Sequence, residues 1–297
     1  MSFLEKRPRK FGDRRDGHWV KNAPGMNVIM SHIYNKRTDA EVYLDQEIDV
    51  TNLLKYIEKK NAEHPEYKTT IFHCVVAATA RILNERRLMN RFIQGRRIYE
   101  RDEIVLGFTA KRRFTDHDEE CLMLYKAKGS DNLDFISRKI AGEVKEMRER
   151  KKTIGIDDIM DKLAKVPRPI LALIVAVVRV LDYFGKNPKF LTDGDINYAS
   201  VILSNLGSIK CPAVYHHLSN YGTASIVVTI GVIHKALRVN ADGSTEVRDV
   251  MNVGATLDER MADGFYFARS LKLLQHICDN PELLDKPLEE ESGYDYK

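Results

Sequence analysis

The chain has 297 residues, of which 43% are apolar, so it is long enough and apolar enough to bury a sizeable core. These values exclude a disordered or fibrous protein and allow one large domain or two small ones. Its 47 basic residues barely outnumber the 43 acidic ones, and a net charge of +4 over this length gives little reason to expect a nucleic-acid partner.

Export and membrane insertion are not expected. The N-terminus lacks the apolar stretch of a signal peptide. The most apolar segment, residues 169–178, is followed by Arg179 and Asp182, so it is shorter than the roughly 20 residues that span a bilayer. We predict a buried helix or a subunit-contact helix there, and a lining for a fatty acyl chain is the alternative. The isolated cysteines favour a reducing cytoplasm; they are Cys74, Cys121, Cys211 and Cys278.

The first third begins with a basic segment. Residues 1–25 mix basic residues with Gly and Pro and show no periodicity, which predicts an arm rather than a domain. Alternating apolar residues predict strands over 26–34 and 40–48. Thr51 is the predicted N-cap of a helix, and Thr69 or Thr70 begins a longer apolar helix.

The middle of the chain alternates between strands and helices. A turn is predicted at 94–96, with strands over 104–110 and 121–125. A helix follows over 132–150, and two more helices are predicted over 157–184. The predicted inward residues of the helix over 132–150 are Phe135, Ile136, Ile140 and Val144.

The last third of the chain is predicted to consist mainly of strands, followed by one helix. Strands are predicted over 199–203, 224–232 and 247–256, and a final helix begins at Asp263 and ends near Asn280. Because the sequence has no internal repeat and no long linker, we predict one α/β domain over 26–285 with a mixed sheet and helices packed on it. An acidic tail is predicted at 286–297.

Two short motifs stand out in this last third. The first is residues 202–207 (ILSNLG), a strand that ends in a Ser-Asn-Leu-Gly turn. The second is residues 258–264 (DERMADG), a strand-to-helix junction. Together they resemble the catalytic domain shared by the dihydrolipoamide acyltransferases of 2-oxo acid dehydrogenase complexes and by chloramphenicol acetyltransferase, whose lipoamide branch has the pattern D-H-R-x-x-D-G. Weaker similarity covers about 42–284, and 157–198 resembles the family least, which indicates a helical insertion.

The resemblance implies a chloramphenicol-acetyltransferase-like fold, a two-layer α/β sandwich that assembles as a homotrimer or a larger particle. Each active site would lie between two subunits, and the basic arm would lie over a neighbouring subunit. A coenzyme A thioester would be the substrate, together with a small-molecule acyl acceptor. No lipoyl domain is recognisable in the chain.

The family's chemistry needs a base for the attacking group and a donor for the oxyanion. By resemblance, Ser204 supplies the hydroxyl and Asn205 lies beside it in the turn. Asp263 holds the site's architecture, and Asp258 with Arg260 forms the flanking charged pair. Glu259 occupies the position of the family's catalytic histidine.

The substitution by Glu259 leaves two interpretations open. A free glutamate has a pKa of ~4.3 and a thiol one of ~8.5, so only a carboxylate with a raised pKa, or a changed acceptor, preserves acyl transfer. Alternatively, Glu259 pairs with Arg260 or another arginine, and the protein is an inactive trimeric scaffold or binding protein of the family.

The adjacent His216 and His217 offer an auxiliary base near Ser204. If they lie on a strand they point to opposite faces, so at most one of them serves, and the alternative is a hydrogen-bonded structural histidine. The sequence has no zinc motif, so no metal is expected. The basic arm is diluted by acidic residues and offers few aromatic residues for stacking, so no nucleic acid is expected either.

Overall fold

The structure is a computed structural model that describes residues 7–64, 66–111, 120–149 and 162–296. Its strands are β1 (Gly17–Trp19), β2 (Glu41–Asp49), β3 (Arg91–Gln94), β4 (Arg97–Arg101), β5 (Ile104–Lys111), β6 (Glu120–Ala127), β7 (Val201–Asn205), β8 (Ile226–Val239) and β9 (Thr245–Asp258). Its longer helices are α1 (Gly25–Ile33), α2 (Thr51–Glu63), α3 (Ile71–Glu85), α4 (Leu133–Glu149), α5 (Arg168–Tyr183) and, after a short helix α6 (Lys189–Thr192), α7 (Gly264–Asp279).

Within these residues, the main sheet has six strands in the order β2-β9-β8-β7-β5-β6. β7 runs parallel to both of its neighbours, β5 and β8, whereas the other pairs are antiparallel. The predicted mixed sheet is therefore confirmed. Of the strands that the structure describes, only β7 has two parallel neighbours, and β7 carries the Ser-Asn-Leu-Gly motif.

Alternation along the central strands separates the two faces of the sheet. Val201 and Leu203 of β7, with Ile226 and Ile230 of β8, belong to the buried core. Because successive side chains of a strand point to opposite faces, Ser204 lies on the other face of the sheet. Helices α2, α3, α4 and α7 contact one another on the core side. The predicted two-layer α/β sandwich is confirmed.

The helix boundaries follow local capping. Thr70 caps α3 by accepting from the amide of His73, as predicted. Thr51 is not the N-cap of α2; Val50 holds that position, and the Thr51 hydroxyl accepts from the amide of Asp249. The predicted turn at 94–96 is confirmed, since Gly95 and Arg96 both have positive φ angles, of 58° and 60°, in the β3–β4 hairpin.

Three expectations about individual segments are wrong. Residues 26–34 form the helix α1 rather than a strand, because Pro24 immediately precedes it and its apolar residues fit a helical face as well as a strand face. Phe135 is 48% exposed and does not face the core. The apolar segment 169–178 belongs to α5, which is largely exposed within this chain, so the expectation of a buried helix is wrong and that of a subunit-contact helix stays a prediction. The helix predicted before α5 begins outside the described residues.

Described residues near both ends of the chain pack on their own chain. β1 pairs with β4, and Arg14 contacts the buried Asp182. At the other end, Leu288 is buried, and the guanidinium of Arg81 donates to four main-chain carbonyls of the last residues. The carboxylate of Glu85 accepts from both the amide and the hydroxyl of Ser292.

Candidate functional site

The Ser-Asn-Leu-Gly turn is built by close packing against β8. The amide of Leu206 donates to the carbonyl of Ile230 (2.9 Å), next to the irregularity between Ile230 and Ile233 in the β8–β9 ladder. A Cβ on Gly207 would lie 2.5 Å from the carbonyl oxygen of Gly231, so only glycine fits without a shift. The packing explains why the turn ends in glycine.

Gly207→Ala is expected to lower the free energy of unfolding by ~1–3 kcal/mol, because the methyl group must displace main-chain atoms of β8. Chemical denaturation measures the change. Gly142→Ala is the control: Gly142 lies within α4 with no atom near its Cβ position, so this substitution is expected to stabilise the helix by ~0.5–1 kcal/mol. Equal effects of the two substitutions would contradict the packing argument.

The turn leaves the hydroxyl of Ser204 free. Asn205 is used structurally, because its side-chain oxygen accepts from the amide of Ser208 (3.2 Å) and its carbonyl accepts from the Ser208 hydroxyl (2.8 Å). Ser204 itself is partly exposed. Its hydroxyl makes no hydrogen bond to the described residues, so it is available to an external group.

The Glu259 junction is fixed by a buried ion pair beside it. The carboxylate of Asp258, fully buried, accepts two hydrogen bonds from the guanidinium of Arg260 (2.8 and 2.6 Å). Arg37 approaches the same carboxylate at 3.8 Å. Burial lowers the pKa of the Arg37 guanidinium to about 10, and the attraction of Asp258 opposes this shift. The predicted flanking pair of Asp258 and Arg260 is thus present and desolvated.

The main chain around Glu259 is held from the side of β2. The amide of Glu259 donates to the carbonyl of Ala40 (2.9 Å), and the guanidinium of Arg260 also donates to the carbonyl of Tyr34 (2.7 Å). Asp263 caps α7 by accepting from the amide of Tyr266 (2.8 Å), as predicted. The backbone on both sides of Glu259 is therefore fixed.

The carboxylate of Glu259 has no partner among the described residues, and its side chain is only partly exposed. Arg260 is fully engaged by Asp258 and by main-chain carbonyls. Glu259 therefore does not pair with Arg260 within this chain, and the interpretation of the protein as an inactive scaffold stays a prediction. Glu259 is a half-buried carboxylate on a fixed backbone and is free to contact another group.

The two histidines lie in the loop that follows the turn. His216 and His217 are exposed, and their rings stack with centroids 4.8 Å apart. They lie outside any strand, so the expectation that they point to opposite faces is wrong. The loop is tied down on either side: the amide of Val214 donates to the Thr229 hydroxyl (3.2 Å), and the amide of Leu218 donates to the Glu41 carboxylate (2.6 Å).

Ser204 and Glu259 do not meet within one chain. Ser204 lies beside Thr229 in β8, and Thr229 lies beside Gly254 in β9. Glu259 comes five residues after Gly254. At ~3.3 Å per residue along a strand and ~4.8 Å between strands, the two side chains are attached roughly 19 Å apart. A site that uses both residues needs a second chain.

Two residues that contact the candidate site belong to no recognisable sequence motif. Arg37 joins the pair of Asp258 and Arg260 from far upstream, and Glu41 holds the loop of the histidines. A single charged residue just before or at the start of a strand gives no signal of such a contact. In the part of the chain that the structure covers, no three metal-binding side chains cluster, and no helix has the length and apolar character needed to cross a membrane.

Comparison with known proteins identifies the family. The sequence profile of the 2-oxoacid dehydrogenases acyltransferase (catalytic domain) family matches residues 25–160 and 186–285, which is most of the chain. The protein belongs to this family of acyltransferases. The match omits 161–185, where α5 lies. Comparison with curated proteins finds no significant match.

Solved structures show the same fold. A probable dihydrolipoamide acetyltransferase from Listeria monocytogenes is 16% identical, covers 98% of both chains and has a TM-score of 0.58. The dihydrolipoamide acetyltransferase of Azotobacter vinelandii is 15% identical, with 95% of this chain and 99% of that chain covered and a TM-score of 0.59. A chloramphenicol acetyltransferase is 12% identical, with 88% and 99% covered and a TM-score of 0.53.

Proposed function

We propose that the protein is a CoA-dependent acyltransferase in which Glu259 is the general base. The single observation that carries this proposal is the free, half-buried carboxylate of Glu259 on a fixed backbone, with the adjacent Arg260 engaged elsewhere. A carboxylate neutralised by an arginine would instead favour the inactive scaffold. The substrate is a CoA thioester, the acceptor is a small thiol or alcohol, and no metal takes part.

The relative from Azotobacter supports the spacing between Glu259 and Asp263. The study of that enzyme concerns the catalytic roles of a serine, a histidine and an asparagine four residues after the histidine. In this chain Ser204 has the place of the serine, Glu259 that of the histidine, and Asp263 follows four residues later. Asp263 acts through its cap of α7, which sets the direction in which the chain leaves the base.

The assembly that fits this site is a ring of three subunits in the cytoplasm. Because Ser204 and Glu259 lie roughly 19 Å apart within one chain, each site takes Glu259 from one subunit and Ser204 from its neighbour. The sheet face that carries Ser204 is opposite the helical layer, which leaves it available to the neighbouring subunit. A cubic core of the pyruvate dehydrogenase complex has the same fold and supports assembly into larger particles.

In the proposed reaction one proton moves from the acceptor to Glu259 and then to the departing CoA thiolate. As the acceptor thiol attacks the thioester carbon, its proton passes to the carboxylate of Glu259, and the carbonyl oxygen becomes an oxyanion that accepts a hydrogen bond from Ser204. The tetrahedral intermediate collapses, the bond from carbon to the CoA sulfur breaks, and the CoA thiolate takes the proton back from Glu259. The exposed His216 and His217 are an auxiliary proton relay at most.

Mixing two inactive variants tests the shared site. Ser204→Ala and Glu259→Gln are each expected to lose at least ~100-fold in the rate of CoA release. Unfolded together and refolded as a one-to-one mixture, they are expected to regain about a quarter of the wild-type rate, because a quarter of random subunit contacts pair an intact Ser204 with an intact Glu259.

The controls separate this result from general damage. Ser208→Ala removes a neighbouring hydroxyl in the same turn and is expected to leave the rate within about twofold. A mixture of the two variants that remains as inactive as its parents, while refolded wild type recovers, would exclude a site shared between subunits. A wild-type protein with no activity toward any acyl-CoA would instead favour the scaffold.

A further inference from the structure

Helix α5 presents an unpartnered apolar face to the surroundings. Four of its exposed apolar residues, together with Phe184 directly after the helix, follow a spacing of three and four, which places them on one side of the helix. They are Ile170 (52% exposed), Leu173 (65%), Val177 (50%), Val180 (58%) and Phe184 (66%), and we call them the α5 stripe; Val175 and Tyr183 are exposed outside it. A stripe of this length is uncommon on a surface that faces only water.

The exposed charges within residues 162–190 are all basic. Between residues 162 and 190 six basic side chains are exposed: Lys162, Lys165, Arg168, Arg179, Lys186 and Lys189. The one acidic residue of this segment, Asp182, is 2% exposed and accepts from Gln94 (2.6 Å) and the hydroxyl of Tyr198 (2.8 Å). The surface of this segment is therefore apolar and cationic at once.

The helix is anchored at its C-terminal end. Asp182 ties it to the β3–β4 region, and the main chain of Tyr183 packs so closely on Gly95 that a Cβ there would lie 2.5 Å from the Tyr183 carbonyl oxygen. The adjoining hairpin adds the exposed Arg96 and Arg97. More positive charge thus borders the end of the α5 stripe, and the rest of the helix projects from a fixed base.

We propose that α5 is a docking surface for an anionic lipid bilayer. Sixteen residues make a helix of ~24 Å, shorter than a bilayer core of ~30 Å, so the helix lies in the interface with the α5 stripe toward the acyl chains. The basic side chains reach the lipid phosphates from beside it. A second copy of this chain would bury the stripe but would also need acidic groups opposite six cations. Anionic lipid supplies both the apolar layer and the negative charge.

Co-sedimentation of the full chain with phospholipid vesicles tests the proposal. Binding is expected to vesicles containing phosphatidylglycerol and to be at least ~20-fold weaker with pure phosphatidylcholine, since each surface cation contributes about fivefold. Leu173→Glu with Val177→Glu is expected to weaken binding by at least ~100-fold. The matched control is Leu237→Glu with Val239→Glu, which puts the same charge on exposed apolar positions of β8 (72% and 74%) and is expected to bind as wild type does.

A second variant separates charge from apolar contact. Arg168→Glu with Arg179→Glu keeps the α5 stripe and is expected to abolish the preference for phosphatidylglycerol. Failure of wild type to sediment with either vesicle would overturn the proposal, as would equal binding by the Leu173 and Val177 variant. If that variant instead dissociates the assembly in analytical ultracentrifugation while wild type ignores lipid, the stripe is a contact between subunits and the proposal is wrong. None of these outcomes depends on acyl transfer.

Discussion

Glu259→Gln is expected to lower the rate of CoA release from acyl-CoA by ~10²–10⁴-fold while changing KM little, because the amide keeps the shape of the side chain but cannot accept the proton. Release of free thiol, followed with a thiol-reactive dye across acyl groups of increasing length, measures the rate. Glu282→Gln is the control, since Glu282 is an exposed carboxylate far along the chain. That variant is expected to match wild type.

Glu259→His extends this test to the fold itself. Histidine at this position restores the family pattern D-H-R-x-x-D-G, and a neutral imidazole is matched to proton transfer near neutral pH. Where the site geometry is intact, the variant is expected to release CoA at least as fast as wild type. Activity in Glu259→His with none in wild type would mean that the substitution has switched the chemistry off, and the proposal of Glu259 as base would be wrong.

The parts of the fold that the sequence predicts are those set by local bonds. Asp263 and Thr70 begin helices because their side chains accept from amides three residues later, and Gly95 allows the tight turn that the strands on either side require. Such contacts lie within a few residues of sequence. The motif around Ser204 is predictable for a different reason: Gly207 packs against the main chain of Gly231 in β8, and a glycine in the sequence marks such a close approach even between distant segments.

Other features depend on contacts between distant segments. The apolar residues of α1 fit both a helix and a strand, and only Pro24 and the packing of the folded chain decide between them. The count of apolar residues in α5 predicts burial, yet burial depends on whether another surface covers the helix. Hydrophobic pattern alone does not distinguish a core helix from an exposed one.

The candidate site likewise combines features set by the local sequence with features that depend on contacts between distant segments. The sequence places Asp258, Glu259 and Arg260 next to one another, and either carboxylate is near enough to pair with the arginine. Asp258 makes that pair because it points from the last residue of β9 into the interior, where a second cation, Arg37, also lies. Glu259 follows in the turn after β9, where it is half-buried and has no partner among the described residues. The pairing of Asp258 with both arginines thus leaves the carboxylate of Glu259 free.

Asp258→Asn is therefore expected to be the most destabilising substitution near the site, at ~3–5 kcal/mol. It keeps the volume of the side chain but leaves the guanidinium groups of Arg260 and Arg37, each 3% exposed, buried without a carboxylate. Urea unfolding at one fixed protein concentration measures the loss, because the stability of an oligomer depends on concentration.

Two further variants decide whether the loss comes from the buried pair. Lys235→Met breaks an exposed pair with Asp249 (2.8 Å) and is expected to cost less than ~1 kcal/mol. Arg260→Met combined with Asp258→Asn removes one uncompensated cation and is expected to cost less than the sum of the single substitutions. An Asp258→Asn variant as stable as Lys235→Met would contradict the desolvated pair. It would also leave the backbone of Glu259 held by fewer contacts, the amide bond to Ala40 and the Asp263 cap of α7, since the ion pair of Asp258 with Arg260 would no longer count among its anchors.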